Sequence, residues 1–218
     1  MSRKSSIPKF PESYVGEKSN EYDNSIWMER NQKKTTLICI QYLCSNELDK
    51  TGVIDNVLPE ESIILDLGCG TGFSSEILAL NGFKVIAIDI LKDMLYKVLD
   101  KKEENDVYQE IEFILADMTA LPIRYDSIDH MISISAYNFI TYGKKDKRSI
   151  LKTLNNTAKY IYKILKPYGR IVIEFYPKDD KELDLFSQSF TRNGFSGFYI
   201  KKYESQRSGQ TFLLLKKK

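Results

Sequence analysis

The sequence holds a single histidine, His130, in 218 residues. That scarcity argues against a His-rich metal centre and against a His-based catalytic triad. His130 itself lies inside an apolar run and reads as a strand residue. Cysteine is almost as rare. Cys39, Cys44 and Cys69 are odd in number and show no CxxC spacing, so they read as thiols of a reducing compartment. No apolar stretch approaches the ~18 residues of a membrane span. The opening MSRKSSIPKFPES lacks the apolar segment of a secretory signal. An intracellular protein is expected.

Net charge is also small. Lys and Arg number 32 and Asp and Glu 30, a net of +2, which at first argues against a nucleic-acid partner. The halves differ, however. Residues 1–110 carry 13 basic and 19 acidic side chains, and residues 111–218 carry 19 and 11. The first half is net −6 and the second +8, so the second half is able to face phosphates.

A chain of this length fits one domain with an extension and buries a core without disulfide or metal support. Residues 1–20 are polar, contain Pro8 and Pro11, and read as a flexible arm. Residues 28–48 place Leu37, Ile40, Leu43 and Cys44 at helical spacing. From residue 62 short apolar runs (SIILDL, KVIAIDI, IEFILAD, IDHMISIS, RIVIEFY) alternate with helical stretches at 73–81, 91–104, 146–165 and 179–193. Runs this continuous suit strands buried on both faces of a parallel sheet, and the alternation predicts a doubly wound α/β fold. Asn81–Gly82 predicts a left-handed helix end, and Pro167 with Gly169 predicts the end of the long helix. GFYIKKY and QTFLLLKK, joined by ESQRSG, read as a hairpin that adds an antiparallel strand.

The first strand runs into Asp66-Leu67-Gly68-Cys69-Gly70-Thr71-Gly72. Glycines at the carboxyl end of a strand, just ahead of a helix, let a ligand approach the backbone and meet free N–H groups. The pattern is GxGxG, not the GxGxxG of dinucleotide sites. Asp89 ends the second strand and Asp117 the third. Three carboxylates around one crevice repel a pyrophosphate and suit S-adenosylmethionine, which carries a sulfonium and an ammonium instead. Cys69 reads as a small filler of the turn.

This combination resembles the class I S-adenosylmethionine-dependent methyltransferases over residues 60–218. The resemblance implies a Rossmann-like seven-stranded sheet with an antiparallel last strand and helices on both faces. It also implies roles. The 66–72 loop, Gly68, Cys69, Gly70, Thr71 and Gly72 included, would hold the methionine part, with Asp66 at its amino group. Asp89 would bind ribose hydroxyls, Ile90 and Met94 would lie beside the adenine, and Asp117 and Met118 would read its edge. Ser133 counts among the cofactor residues, and Tyr22 would close over the site.

Three further stretches narrow the resemblance: ISISAYNFITYG (132–143), EFYPKDDKELDLF (174–186) and TRNGFSGFYIKKY (191–203), with EYDNSIWMERNQKK (21–34) ahead of the core. Their SISA, YP and GFSG segments resemble the guanine-N7 methyltransferases of small-subunit ribosomal RNA, from about residue 20 to 215. The chain departs from that family at Asn138-Phe139, where a Gln-Trp pair is usual, and at Lys178, where an acid is common. It ends at Lys216-Lys217-Lys218 without the long basic tail of eukaryotic members, which suits an archaeal relative. On this reading residues 21–218 form one methyltransferase domain, a helical cap at 21–60 and a core at 61–218.

Guanine N7 presents an in-plane lone pair and no proton, so a general base is unnecessary. The splayed base needs a stacking surface. Tyr137, Asn138, Phe139, Tyr176 and Pro177 are the candidates that would position it. Lys144, Lys145, Lys147 and Arg148, in the loop after the fourth strand, would meet the RNA backbone. The resemblance also implies a small zinc-binding activator subunit at the third strand, IEFILA, with the zinc in the partner and none in this chain. A cytoplasmic location is expected, or a nuclear or nucleolar one in a eukaryote. Two alternatives stay open: a small-molecule methyltransferase lidded by residues 1–30, and a non-catalytic ribosome-assembly factor that binds the cofactor.

Overall fold

The computed structural model describes residues 8–45, 48, 58, 61–202 and 210–218. Seven strands form one sheet: β1 (Ile63–Leu67), β2 (Lys84–Asp89), β3 (Glu112–Leu115), β4 (Ile128–Ile134), β5 (Leu165–Phe175), β6 (Phe195–Lys202) and β7 (Gln210–Lys217). Their spatial order is β3-β2-β1-β4-β5-β7-β6. The first five are mutually parallel, and β7 runs antiparallel to both β5 and β6. The doubly wound sheet with one antiparallel strand is as the apolar runs imply. The segment ESQRSG lies outside the described residues, apart from the two strands it joins.

The helices are α1 (Glu17–Asp23), α2 (Ile26–Leu43), α3 (Phe73–Leu80), α4 (Lys92–Glu104), α5 (Asp106–Gln109), α6 (Lys147–Ile164) and α7 (Asp180–Thr191). Alternate strand residues serve opposite faces, as the two-residue period of a strand requires. On one face Leu65 and Leu67 join Leu154, Ala158 and Ile161 of α6 and Phe186 and Phe190 of α7. On the other, Ile64, Val85 and Ala87 join Cys39 and Leu43 of α2 and Leu78 of α3. Burial on both faces explains why the strands read as unbroken apolar runs.

Local chemistry sets the boundaries. Gly82, at φ +83°, supplies the left-handed residue after α3. Asp146 caps α6 by accepting the Ser149 N–H at 2.7 Å. At the end of α6 the chain enters the sheet earlier than Pro167 suggests. Leu165 pairs with Ile128, residues 166–169 bulge, and pairing resumes at His130–Arg170. The Arg170 guanidinium donates to the carbonyls of Leu43 (2.5 Å) and Ser45 (3.2 Å), which ties the end of α2 to β5.

The N-terminal segment is built differently from the arm expected at 1–20. Residues 1–7 are outside the described range, as is most of 46–60 in the expected helical cap. Residues 8–16 form turns and α1 begins at Glu17. The Gly16 N–H donates to Asp93 Oδ2 at 2.6 Å, which fastens this strap to the start of α4.

Candidate active site

The strand order reverses between β1 and β4. The chain steps outward through β2 and β3 on one side and through β5 on the other. Ligands of open parallel sheets bind at the carboxyl ends of the strands that flank such a point. The Asp66–Gly72 turn leaves β1 there, and residues 135–141 leave β4 directly beside it. Gly68 stands at φ +81°, and a Cβ on it would lie 2.2 Å from Ala136 Cβ, so only glycine lets the two turns touch.

Asp66 is fully buried. Its Oδ2 accepts from the hydroxyls of Ser74 and Ser75, each at 2.6 Å. Its Oδ1 is buried and has no hydrogen-bond partner, and the same holds for Thr71 Oγ1 a few residues along. Burial pushes the Asp66 carboxyl up to about 6, against the two serine hydrogen bonds that pull it down. An anionic oxygen without a donor is costly inside a protein. An ammonium fits this oxygen, and a phosphate does not.

Asp89 closes the turn from β2. It accepts the Gly70 N–H (2.9 Å) on Oδ2 and the Leu91 N–H (2.8 Å) on Oδ1. Burial raises its carboxyl, and these backbone bonds oppose the rise. Each oxygen keeps a lone pair for a ligand hydroxyl. Ile90 beside it is half-exposed, and Met94 is buried with its Cε 3.4 Å from the place a Gly70 Cβ would take. Met118 Cε reaches within 3.8 Å of the corresponding point at Gly68, while Asp117 is exposed at the end of β3 and caps Thr119 N–H. Gly72 faces Tyr108, and Cys69 is buried with its thiol pushed well up by burial, as suits a filler.

The strap lies over this mouth. Tyr22 packs against Phe73 and Tyr14, and its hydroxyl is raised by burial and then by nearby Tyr14, Asp89 and Asp23. Beside it, Asp23 pairs with Lys101 at 2.5 Å, and the same ammonium donates to the Thr71 carbonyl at 2.9 Å and sits 4.0 Å over the Phe73 ring. Burial lowers the Lys101 ammonium, and Asp23 works against that.

β4 and the loop after it correct two expectations. Tyr137 is fully buried against Phe186 and Phe190, so it is a core ring and offers no stacking face. Ser133 is also fully buried and donates its hydroxyl to the Leu67 carbonyl at 2.7 Å; it braces β4 to β1 and does not face a ligand. Asn138 and Phe139 are half-buried at the mouth. Asn138 Oδ1 is buried without a partner. Phe139 is covered by Phe10 and Tyr14 of the strap. Tyr176 and Pro177 follow β5 and are half-buried, with Tyr176 hydrogen-bonded to Glu174.

The cations are placed differently too. Lys144 and Lys145 are in the loop, but Lys147 and Arg148 form the first turn of α6. Lys145, Lys147 and Arg148 are exposed. Among the described residues none of the four side chains makes an ion pair. A helix N-terminus disfavours cations, so the last two stand against local preference.

The family model described as a methyltransferase domain matches residues 65–173. The chain belongs to this family. It is 32% identical over 160 residues to an 18S rRNA (guanine-N(7))-methyltransferase of Bos taurus, covering 72% of this chain and 55% of the relative. It is 33% identical over 186 residues to the 18S rRNA (guanine(1575)-N(7))-methyltransferase of Saccharomyces cerevisiae, covering 84% and 61%. The chain thus spans little more than half the length of these relatives. Among solved structures, magnesium protoporphyrin IX methyltransferase of Synechocystis PCC 6803 superposes with a TM-score of 0.65 at 17% identity over 95% of this chain and 94% of that one. A chain from the complex of the Haloferax volcanii Trm112 methyltransferase activator with a methyltransferase does so with 0.55 at 17%, over 87% and 95%. Both likenesses concern the fold.

Three features of the site were not singled out in the sequence. The aromatic strap was signalled only by Phe10 and Tyr14 in a polar segment. The Asp23–Lys101 pair joins residues 78 positions apart and leaves no local pattern. Glu174 was visible as an acid inside the apolar run RIVIEFY.

Proposed function

We propose that this chain is an S-adenosylmethionine-dependent methyltransferase that methylates N7 of a guanine in small-subunit ribosomal RNA, in ribosome biogenesis. The observation that carries the cofactor is the buried, partnerless Asp66 Oδ1 beside the glycine turn, which calls for a cationic group. The names of the relatives support the base and the RNA. When bound, the cofactor supplies a methyl group on a positively charged sulfur. Asp66 takes the amino group, Asp89 the ribose hydroxyls, Ile90 and Met94 flank the adenine, and Asp117 and Met118 address its edge. Tyr22 covers the cofactor side.

The work left to the chain is alignment. N7 needs no deprotonation, so Asn138 and Phe139 have only to hold the guanine plane and Tyr176 with Pro177 to border it. Orientation of this kind lowers a barrier by ~7–11 kcal/mol. Lys144, Lys145, Lys147 and Arg148 give the RNA backbone a salt-sensitive hold. The β3 strand pairs only with β2 among the described residues and exposes Leu115, which supports strand addition by a zinc-binding activator. A cytoplasmic setting accompanies this reading.

One observation favours the small-molecule alternative: Phe10 already covers Phe139, as a lid over a closed pocket would. Tritiated S-adenosylmethionine, incubated with unmethylated small ribosomal subunits together with a small-metabolite extract, with and without the activator, separates the two. Label mapped to a guanine N7 in the small-subunit RNA is expected. Label confined to a metabolite pool would overturn the RNA reading.

A further inference from the structure

Glu174 is fully buried within β5, in a run where every neighbour is apolar. Such a break in the local pattern is kept where a specific partner requires it. Here the partner is Ser135, the residue at which the chain leaves β4. Glu174 Oε2 accepts both the Ser135 N–H (2.9 Å) and the Ser135 hydroxyl (2.8 Å). The Ser135 N–H also reaches the Glu174 carbonyl oxygen at 2.9 Å. The other carboxylate oxygen accepts from Gln210 Nε2 (3.3 Å), whose amide also reaches Thr35 Oγ1 (3.2 Å), and Tyr176 adds a side-chain hydrogen bond. One carboxylate therefore gathers β5, β7 and the exit of β4, with α2 reached through Gln210.

Ser135 stands at φ +55°, a left-handed conformation unusual for serine. Such residues persist where the surroundings over-determine them, and they concentrate at functional sites. The turn at Ser135 decides where the next four residues go. Ala136 is pressed on the Gly68 turn, and Asn138 and Phe139 reach the mouth. A release of Ser135 would shift the substrate loop relative to the cofactor turn without touching either ligand.

We propose that Glu174 is a positioning residue for methyl transfer: by holding Ser135 in its left-handed turn, it fixes the substrate loop 136–139 against the Gly68 turn. This rests on the methyltransferase reading above. Glutamine at 174 keeps an acceptor for both Ser135 donors and gives up only the bond from Gln210, whereas leucine leaves the Ser135 hydroxyl without this acceptor and the N–H with the backbone carbonyl of residue 174 alone.

The test compares Glu174→Gln, Glu174→Leu and Ser135→Val in methyl transfer to small ribosomal subunits, with cofactor affinity measured by calorimetry. Glu174→Gln should keep kcat within about threefold of wild type, since both hydrogen bonds from Ser135 are retained. Glu174→Leu should lose about 100-fold in kcat, the scale of a 1 Å misplacement, while cofactor Kd stays within about twofold. Adding Ser135→Gly to Glu174→Leu should restore part of that loss, because glycine takes a positive φ unaided. Wild-type kcat in Glu174→Leu, or equal losses in the Gln and Leu variants, would overturn the proposal. If the Leu variant does not fold, Ser135→Val decides. Valine resists a positive φ, and an undiminished kcat in that variant counts against the clamp. A wild-type chain that labels no RNA removes the RNA reading and the proposal with it. Wild-type labelling with unaffected variants removes the proposal alone.

Discussion

The ring of Phe10 lies 4.8 Å from that of Phe139 and 19° from parallel, the separation and tilt at which a flat base would stack. Tyr142 meets Phe10 edge-on at 5.1 Å and completes the slot. In the proposed function, the N-terminal strap thus fills the place where the guanine would stack. Phe10→Ala removes the competing ring. A stacked pair is worth ~0.5–1.5 kcal/mol, so KM for the ribosomal substrate should fall about two- to tenfold with kcat unchanged. A rise in KM, with a metabolite as the methylated species, would point to a lid that belongs to the closed site.

If Asp66 takes the cofactor's amino group as proposed, cofactor affinity should depend on pH. Its carboxyl is pushed up to about 6, chiefly by burial, and an ammonium partner favours the ionised form. Cofactor Kd should therefore weaken about tenfold per pH unit below 6 and level off above it. Stability of the ligand-free chain moves the other way. A raised folded-state pKa contributes stability that is present below the unfolded value near 3.8 and is lost as pH rises through 6, about 3 kcal/mol in all. Calorimetric titrations and denaturant melts between pH 4 and 8 check both signs. Asp66→Asn should flatten both curves.

His130 works in the opposite direction. Burial depresses the imidazole to about 4, and its Nδ1 accepts the Arg170 N–H at 3.2 Å. The unfolded chain takes up a proton near 6.5 that the folded chain refuses. Stability is therefore lost as pH falls from 6.5 towards 4. Between pH 7 and 5 the loss is about 2 kcal/mol. His130→Asn keeps an acceptor for Arg170 and should lose less over that range. The difference between the two chains cancels the Asp66 contribution.

Lys101 joins the strap to the cofactor turn through Asp23 and the Thr71 carbonyl. The pair is mostly buried, at 19% and 16% side-chain exposure. Lys101→Met leaves Asp23 unpaired, at a cost of about 3 kcal/mol. Asp23→Asn should cost less than that, and the double variant less than the sum of the two, since one interaction is removed twice. Cofactor dissociation, followed by stopped flow, should quicken in each variant.

In the proposed function, Lys147 and Arg148 would set helix stability against RNA binding. At the start of α6 each opposes the helix dipole. Replacing both with Ser should raise stability by about 0.3–1 kcal/mol per residue while RNA affinity falls and its salt dependence flattens. Equal RNA binding across a salt series would show that these cations face only solvent.

How much of this was legible follows the physics of each signal. The sheet was readable because strands buried on both faces must be apolar throughout, and the glycine turn because a tight strand-to-helix connection admits few residue types. Tyr137 was misread because an aromatic next to a polar Asn138 looks like a mouth residue; nothing local reports that Phe186 and Phe190 enclose it. Ser133 was misread in the same way, since a buried hydroxyl and a ligand-facing one share one letter. The strap was hidden by its polar composition. Its order comes from Phe10 and Tyr14 on Phe139, and from Gly16 on Asp93, contacts between segments far apart in the chain.

One segment, from Phe10 to Asp23, spans both halves of the mouth: Phe10 on the Phe139 side and Tyr22 near Asp89. A single opening event would then serve both ends. In the proposed function, the same segment would then border both the methyl acceptor and the cofactor.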